Sequence, residues 1–256
     1  MFTKHIHHIV IGGIGLELVK QLAARGDKVF ATCRKRESSS TGVDSISGLP
    51  GDVTIMEGID VADDAVTELL KTSPALADVD KIDVIVHNAG SLSGTREVPK
   101  AELMTEQKLQ SVSMERMRAA FEVNTLGPLR VQKAMMGRIA SPGGKVAIIS
   151  TGLASITDNT SGGTYAYRSS KAAVNMISKS LSCDLKDDQI SVAAIAPGFV
   201  ATEFGPGVDQ MTKMGAMPVK KSVEGIIKVL DSMMSMENTG KFFSVKKEED
   251  PKERPW

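Results

Sequence analysis

Cysteine is scarce: Cys33 and Cys183 are the only two in 256 residues. Two cysteines give no disulfide framework, and such sparing use suits a reducing compartment. An excess of charge of either sign is missing as well, because 31 basic residues face 31 acidic ones. A balanced chain has no global field to draw it onto nucleic acid or an anionic membrane. Apolar runs long enough to span a bilayer are absent. The opening "MFTKHIHHIVI" lacks the cationic region, long apolar stretch and small-residue cleavage site of a signal peptide. A soluble, cytoplasmic protein without nucleic-acid or membrane partners is the expectation. Aromatic residues make up 4% of the chain, against 14 methionines, so the interior, or a pocket in it, is expected to be pliable.

What is present is an alternation. A chain of this length can bury a large core and suits one α/β domain better than two small ones. Short apolar, β-branched runs stand at 8–11, 28–33, 53–56, 82–87, 145–150, 190–196 and 241–245. Most lack the in-out alternation of a half-wet sheet, which predicts strands covered on both faces. Between them lie segments of helical period, among them "LELVKQLAARG", "DDAVTELLK" and "SMERMRAAFEVNTLGPLRVQKAMMGRI", followed by "TYAYRSSKAAVNMISKSLSCDLK" and "SVEGIIKVLDSMM". Gly26 stands where a C-cap belongs, and Ser113 opens a helix with Glu115 in its first turn. The pattern predicts a three-layer α/β fold, a doubly wound (Rossmann) parallel sheet of about seven strands flanked by helices. No internal repeat is visible. Residues 36–51 and 91–112 read as polar surface excursions. The charged, proline-broken tail 246–256 is expected to be disordered, with Trp256 a dangling end.

The strongest local signal is "YAYRSSK". Tyr167 and Lys171 are four apart at helical period, so their side chains share one face. A free tyrosine titrates near pH 10, far too high for proton transfer near neutrality. An ammonium beside it favours the phenolate and lowers that value. Tyr165 has no lysine at the same spacing. An isolated Tyr-x-x-x-Lys is most often a surface pair, so context decides. Strand 145–150 ends in the hydroxyls of Ser150 and Thr151, "HNAG" follows strand 82–87, Asn124 sits inside a helical segment, and "IAPGFVAT" follows strand 190–196. In a doubly wound sheet all of these meet at the carboxyl edge of the strands, where ligands bind.

Carried by these motifs, roughly residues 6 to 245 resemble a short-chain dehydrogenase/reductase. "ATCR", "FEVNTLGPLRV", "DNTSGGTYAYRSSKAAVNM" and "PGFVATEFG" are similar to the C-factor/sniffer-like carbonyl reductase group. The resemblance implies one NAD(P)-binding domain over 1–245, with a substrate lid near 203–218. It also implies an NADPH-dependent reduction of an aldehyde or ketone, a small-molecule substrate, and a homodimer or homotetramer. In that pattern Tyr167 is the general acid, Lys171 lowers its pKa and holds the nicotinamide ribose, and Asn124 positions a water. The catalytic serine falls on Thr151, which keeps the hydroxyl but adds a methyl group that restricts its rotamer. Ser150, facing the other side of the strand, is the fallback. Asp60 and Val61 would flank the adenine. Asn88, Ala89 and Gly90 would line its ribose, and Pro197, Gly198, Val200 and Thr202 would meet the nicotinamide end. Arg34, followed by Lys35 and Arg36, suits a 2′-phosphate through paired hydrogen bonds and favours NADP(H) over NAD(H).

The phosphate loop departs from the family's Thr-Gly-x-x-x-Gly-x-Gly. Here Gly12, Gly13, Ile14 and Gly15 are crowded together, without the threonine and the spacer residues. Consecutive glycines can still turn a strand into a helix whose N-terminus faces a pyrophosphate, though with fewer surrounding N–H groups. Two readings stay open: a working reductase, and a catalytically weak or inactive binding or signalling protein on the same fold. His5 and His7 share a strand face without an acidic or sulfur companion, so they read as strand-edge residues and no metal is expected. Met211, Met214 and Met217 are pocket lining or ordinary core contacts. Cys183 reads as a small packed side chain.

Overall fold

Strands that are apolar on both faces need a helical layer on each side, and the computed structural model has that arrangement. It describes residues 6–10, 12–34, 46, 51–92 and 108–256. His5, Lys35, Arg36 and most of the two polar excursions lie outside the described residues. In chain order the strands are β1 (Ile6–Val10), β2 (Lys28–Thr32), β3 (Asp52–Met56), β4 (Val84–His87), β5 (Lys145–Ile149), β6 (Ser191–Ala196), β7 (Val200–Ala201), β8 (Met217–Pro218), β9 (Lys241–Ser244) and β10 (Lys252–Glu253). The helices are α1 (Ile14–Arg25), α2 (Val66–Lys71), α3 (Met114–Phe121), α4 (Gly127–Met135), α5 (Tyr165–Asp184), α6 (Val208–Lys213) and α7 (Val219–Lys228). The main sheet runs β10-β9-β6-β5-β4-β1-β2-β3. Its seven expected strands are parallel, and β10 adds an antiparallel edge.

Successive strand residues feed opposite layers, as the pleat requires. Ala31, Val86, Ala147 and Ile195 pack with Leu18 and Leu22 of α1 and Val223 and Ile226 of α7. Their neighbours Phe30, Ile85, Ile148 and Val192 pack on the other face with Leu70 of α2, Val131 of α4 and Val174 of α5. Leu18, Leu22, Ile85 and Ile148 are fully buried, each contributing about 1.5–3 kcal/mol of transfer free energy. Gly26 closes α1 at φ 93°, with its N–H on the carbonyls of Ala23 and Leu22. Ser113 caps α3, its hydroxyl accepting from the N–H of Arg116.

Strand β1 bonds to β2 on one side and β4 on the other, so chain direction diverges at its carboxyl end. That divergence opens the crevice in which such sheets bind ligands. No described helix is long and apolar enough to cross a membrane.

Three expectations fail, the first at Cys183, which is exposed on α5 rather than packed. His7 is not at a strand edge: it is 1% exposed in the interior of the sheet, with Nε2 3.0 Å from Asp27 Oδ2. Burial alone would raise the Asp27 carboxyl, but hydrogen bonds from His7 and Arg25 outweigh it and bring the group down to about 2. The tail is not without structure either. Lys252 and Glu253 pair with Ser244 and Phe243, and the Trp256 ring stacks on Phe242 at 5.2 Å. Most of its charged side chains stay in solvent, while the Trp256 ring and the Arg254 guanidinium anchor it, a contrast that average composition hides.

Candidate active site

Helix α5 is entered through a left-handed turn. Gly162 and Gly163 have φ of 60° and 66°, and Thr164 follows at 51°. Glycine takes this conformation freely, whereas Thr164 is held in it at a cost of roughly 1–2 kcal/mol. The turn sets the rotation of α5 so that Tyr167 and Lys171 face inward, 8% and 2% exposed. Tyr165 lies on the outer side, 37% exposed.

The Thr151 side chain stands beside the Tyr167 phenol, whose ring lies 5.6 Å from that of Phe204. Burial pushes the Tyr167 phenol up to about 12, against a smaller lowering by Thr151. Lys171 Nζ donates to the carbonyl of Ile149 at 2.7 Å, and burial brings the ammonium down to about 8. The expected lowering of the tyrosine by the lysine is therefore not what governs the protein alone. Desolvation is the largest influence on both groups.

The strand alternation separates the two hydroxyls. Ser150 is 1% exposed and donates to Asn175 Oδ1 at 2.6 Å. Thr151 leaves the strand at the N-cap of a 3-10 turn, Gly152–Ala154, and accepts from the N–H of Leu153 at 3.2 Å. Of the pair, Thr151 meets Tyr167.

Asn124 sits in a π turn, Glu122–Leu126, wedged between α3 and α4. Pro128 brings no N–H for the Asn124 carbonyl, so a regular helical ladder cannot continue there. The Asn124 side chain is fully buried. Its Nδ2 donates to the Ser91 carbonyl (2.8 Å) and Ser170 Oγ (2.9 Å), and its Oδ1 accepts from the Ser91 N–H (2.7 Å). A Cβ on Gly90 would lie 3.5 Å from both Asn124 Oδ1 and Lys171 Nζ, so the end of β4 closes on these two groups.

At the other side of the crevice, Gly12 and Gly13 adopt φ of 153° and 48°. Gly15 N–H donates to the Gly12 carbonyl at 2.8 Å, which also accepts from Asn88 Nδ2 at 3.2 Å. Two glycines thus turn β1 directly into α1, and Ile14 opens the helix. A Cβ on Gly13 would stand 3.6 Å from the Thr202 side chain, in ordinary van der Waals contact. Arg34 is exposed just past β2. Asp60 Oδ1 accepts from Ala62 N–H at 3.0 Å after β3. Val61 is buried beneath Gly127, where any Cβ would come 2.8 Å from it. Ala89 is half-buried beside Gly90. The Pro197 carbonyl accepts from Ser222 Oγ at 2.7 Å, and Gly198 lies at φ 88° against Met217 and the Val245 carbonyl. Val200 pairs with Met217 in a two-stranded clip. Between the strands of that clip runs the segment with Phe204 and α6, in which Met214 is 61% exposed, whereas Met217 is buried. The glycine turn with Gly13 exposed, the buried lysine beside Gly90 and the exposed Arg34 offer donors that fit a nicotinamide dinucleotide.

Ser170, Asn175 and Phe204 were not singled out from sequence. Ser170 could have been, as a small polar residue on the inner face of α5 next to Lys171. Asn175 and Phe204 carry no local signal.

A family model described as short chain dehydrogenase matches residues 9–213. The 1-hydroxy-2-glutathionyl-2-methyl-3-butene dehydrogenase of Rhodococcus sp. (strain AD45) is 31% identical over 237 residues, 91% of this chain and 94% of that protein. The C-signal protein of Myxococcus xanthus is 35% identical over 171 residues, 66% of this chain and 92% of its own. Among solved structures, the NADPH-bound carbonyl reductase from chicken fatty liver superposes with a TM-score of 0.81 at 23% identity, covering 100% of both chains.

Proposed function

Since the chain belongs to the short-chain dehydrogenase family and is an NAD(P)-dependent oxidoreductase near its carbonyl reductases, we propose that it reduces an aldehyde or ketone with NADPH, Tyr167 acting as general acid. The observation that carries this reading is the gathering of half-buried Thr151 with buried Tyr167, Lys171 and Asn124 at the carboxyl edge of the sheet.

NADPH, when bound, supplies hydride to the carbonyl carbon. Thr151 and Tyr167 orient the carbonyl oxygen through their hydroxyls. A phenol held near pKa 12 stays protonated across the neutral range, so Tyr167 has a proton to give. As that proton leaves, Lys171 stabilises the phenolate and, with a pKa near 8, has a proton of its own within exchange range. Gly90 lies against the lysine ammonium and the Asn124 amide. Arg34 would take the 2′-phosphate, and the Gly12–Gly15 turn would present its N–H groups to the pyrophosphate. Phe204 covers the Tyr167 ring, and its segment, closed at both ends by the β7–β8 clip, is the expected lid.

Purified protein should oxidise NADPH in the presence of a panel of neutral aldehydes and ketones. Tyr167→Phe should cost about 10²–10⁴-fold in kcat/KM, the usual contribution of a general acid. Unchanged turnover in that variant removes the mechanism. The contracted Gly12–Gly15 turn favours a second reading, a non-catalytic binding or signalling role, because it offers fewer N–H groups to a pyrophosphate. Titrating NADPH while following melting temperature separates the two, since a ligand of the folded state raises it and no shift at millimolar cofactor supports the second.

A further inference from the structure

The segment after β9 returns to the site. Arg254 N–H donates to the Phe242 carbonyl at 2.8 Å, and its guanidinium sits 5.1 Å from the centre of the Phe242 ring. Arg254 Nη2 reaches Asp158 Oδ2 at 2.6 Å and the Gly152 carbonyl at 3.3 Å. Two residues on, the Trp256 carbonyl accepts from Ser155 Oγ at 3.0 Å and from the Thr157 N–H at 3.3 Å.

All of these partners, Gly152, Ser155, Thr157 and Asp158, belong to the stretch that directly follows Thr151. Gly152 begins the very turn whose Leu153 N–H fixes the Thr151 hydroxyl. A Cβ there would come 2.5 Å from Arg254 Nη1, so a side chain at 152 would push the guanidinium aside. The next carbonyl of the turn, that of Leu153, is held by Arg168 Nη1 at 3.0 Å. The Arg254–Asp158 pair is partly open to solvent, 18% and 48% exposed, so its contribution to global stability is small. Its effect is geometric. A planar guanidinium spans a carboxylate and a carbonyl at once, while stacked on an aromatic ring.

We propose that residues 252–256 form a strap that holds the loop after Thr151 and so positions the Thr151 hydroxyl for substrate, with Arg254 as the positioning residue. This rests on the reductase reading above for its kinetic consequence, but not for its structural one.

The test uses the full chain, with Arg254→Ala and Arg254→Lys. NADPH reduction of the neutral carbonyl panel, NADPH affinity, and amide hydrogen exchange over 152–158 are measured on each. Displacing a reacting group by an ångström costs on the order of 100-fold, so Arg254→Ala should lose about 10- to 100-fold in kcat/KM. NADPH affinity should stay at the wild-type value, exchange over 152–158 should quicken, and Arg254→Lys should recover part of both losses. Wild-type kcat/KM in Arg254→Ala overturns the proposal, as does unchanged loop exchange. A parallel fall in NADPH affinity, with lysine no better than alanine, also overturns it by marking general damage. Should the wild-type protein reduce none of the panel, the reductase reading fails and loop exchange alone decides the strap: faster exchange upholds it, unchanged exchange overturns it.

Discussion

Two sides of one crevice are built from different materials. Around Tyr167 the links are made by side chains: Ser150 to Asn175, Asn124 to Ser170, Lys171 to the Ile149 carbonyl, Arg254 to Asp158. Around Gly12–Gly15 the turn is closed by backbone, Gly15 N–H to the Gly12 carbonyl, with Asn88 reaching in from β4. A site made of peptide N–H groups depends on chain path and hardly on residue identity. It can therefore shorten and still face an anion. A site made of hydroxyl, phenol and ammonium has no such latitude, because each group brings its own chemistry.

The largest effect that would break this contrast concerns the paired hydroxyls. Thr151→Val should lower kcat/KM by about 10²–10³-fold, the usual cost of removing one donor to a developing oxyanion. Ser150→Ala should keep near-normal kinetics and instead lower stability by about 1–2 kcal/mol in urea unfolding, since it strands the buried Asn175. Reversal of these two outcomes would mean that the strand presents the other face to substrate. Next in size, inserting three residues between Gly12 and Gly13 should tighten NADPH binding by about tenfold by calorimetry. That corresponds to about 1.4 kcal/mol, the scale of an added hydrogen bond or two. Weaker binding in the insertion variant would show that the short turn is already the better fit.

The smallest effect on stability with pH separates function from stability at Lys171. Its folded pKa is lowered by burial to about 8 from an ordinary 10.5. Between those values the unfolded chain holds the extra proton, so wild-type stability should rise as pH goes from about 8 toward 10.5. Lys171→Met should lose that rise and be more stable at pH 7 by about 1–2 kcal/mol, while losing activity. A stability profile unchanged by the substitution would show that the ammonium is not buried as described.

Much of this was legible in sequence for definite reasons. The runs at 82–87 and 190–196 have no polar alternation, and only a sheet covered on both faces buries every residue of β4 and β6. Gly26 and Ser113 announced helix ends because capping is a local matter. Four-residue spacing placed Tyr167 and Lys171 together because a helix has a fixed pitch. The preference for Thr151 over Ser150 came from the resemblance and was not legible in strand alternation. Alternation puts the two on opposite faces, but which face α5 occupies depends on how α5 docks. Nor was the order of electrostatic effects. Lysine beside tyrosine reads as a lowered phenol, yet burial of Tyr167 raises it.

His7 and the 252–256 segment make the same point from opposite ends of the chain. One looked like an edge histidine and is sealed against Asp27; the other looked like a loose charged tail and is pinned by a single indole and a single guanidinium. By itself the sequence determined what local geometry dictates: strand and helix, their order, the caps, and the chemistry carried to the carboxyl edge. Only the tertiary structure decided which hydroxyl meets Tyr167, how far burial displaces the two titrating groups, and that the chain returns to brace its own site. Those outcomes depend on contacts between residues far apart along the chain, and such distances are settled by packing rather than by spacing.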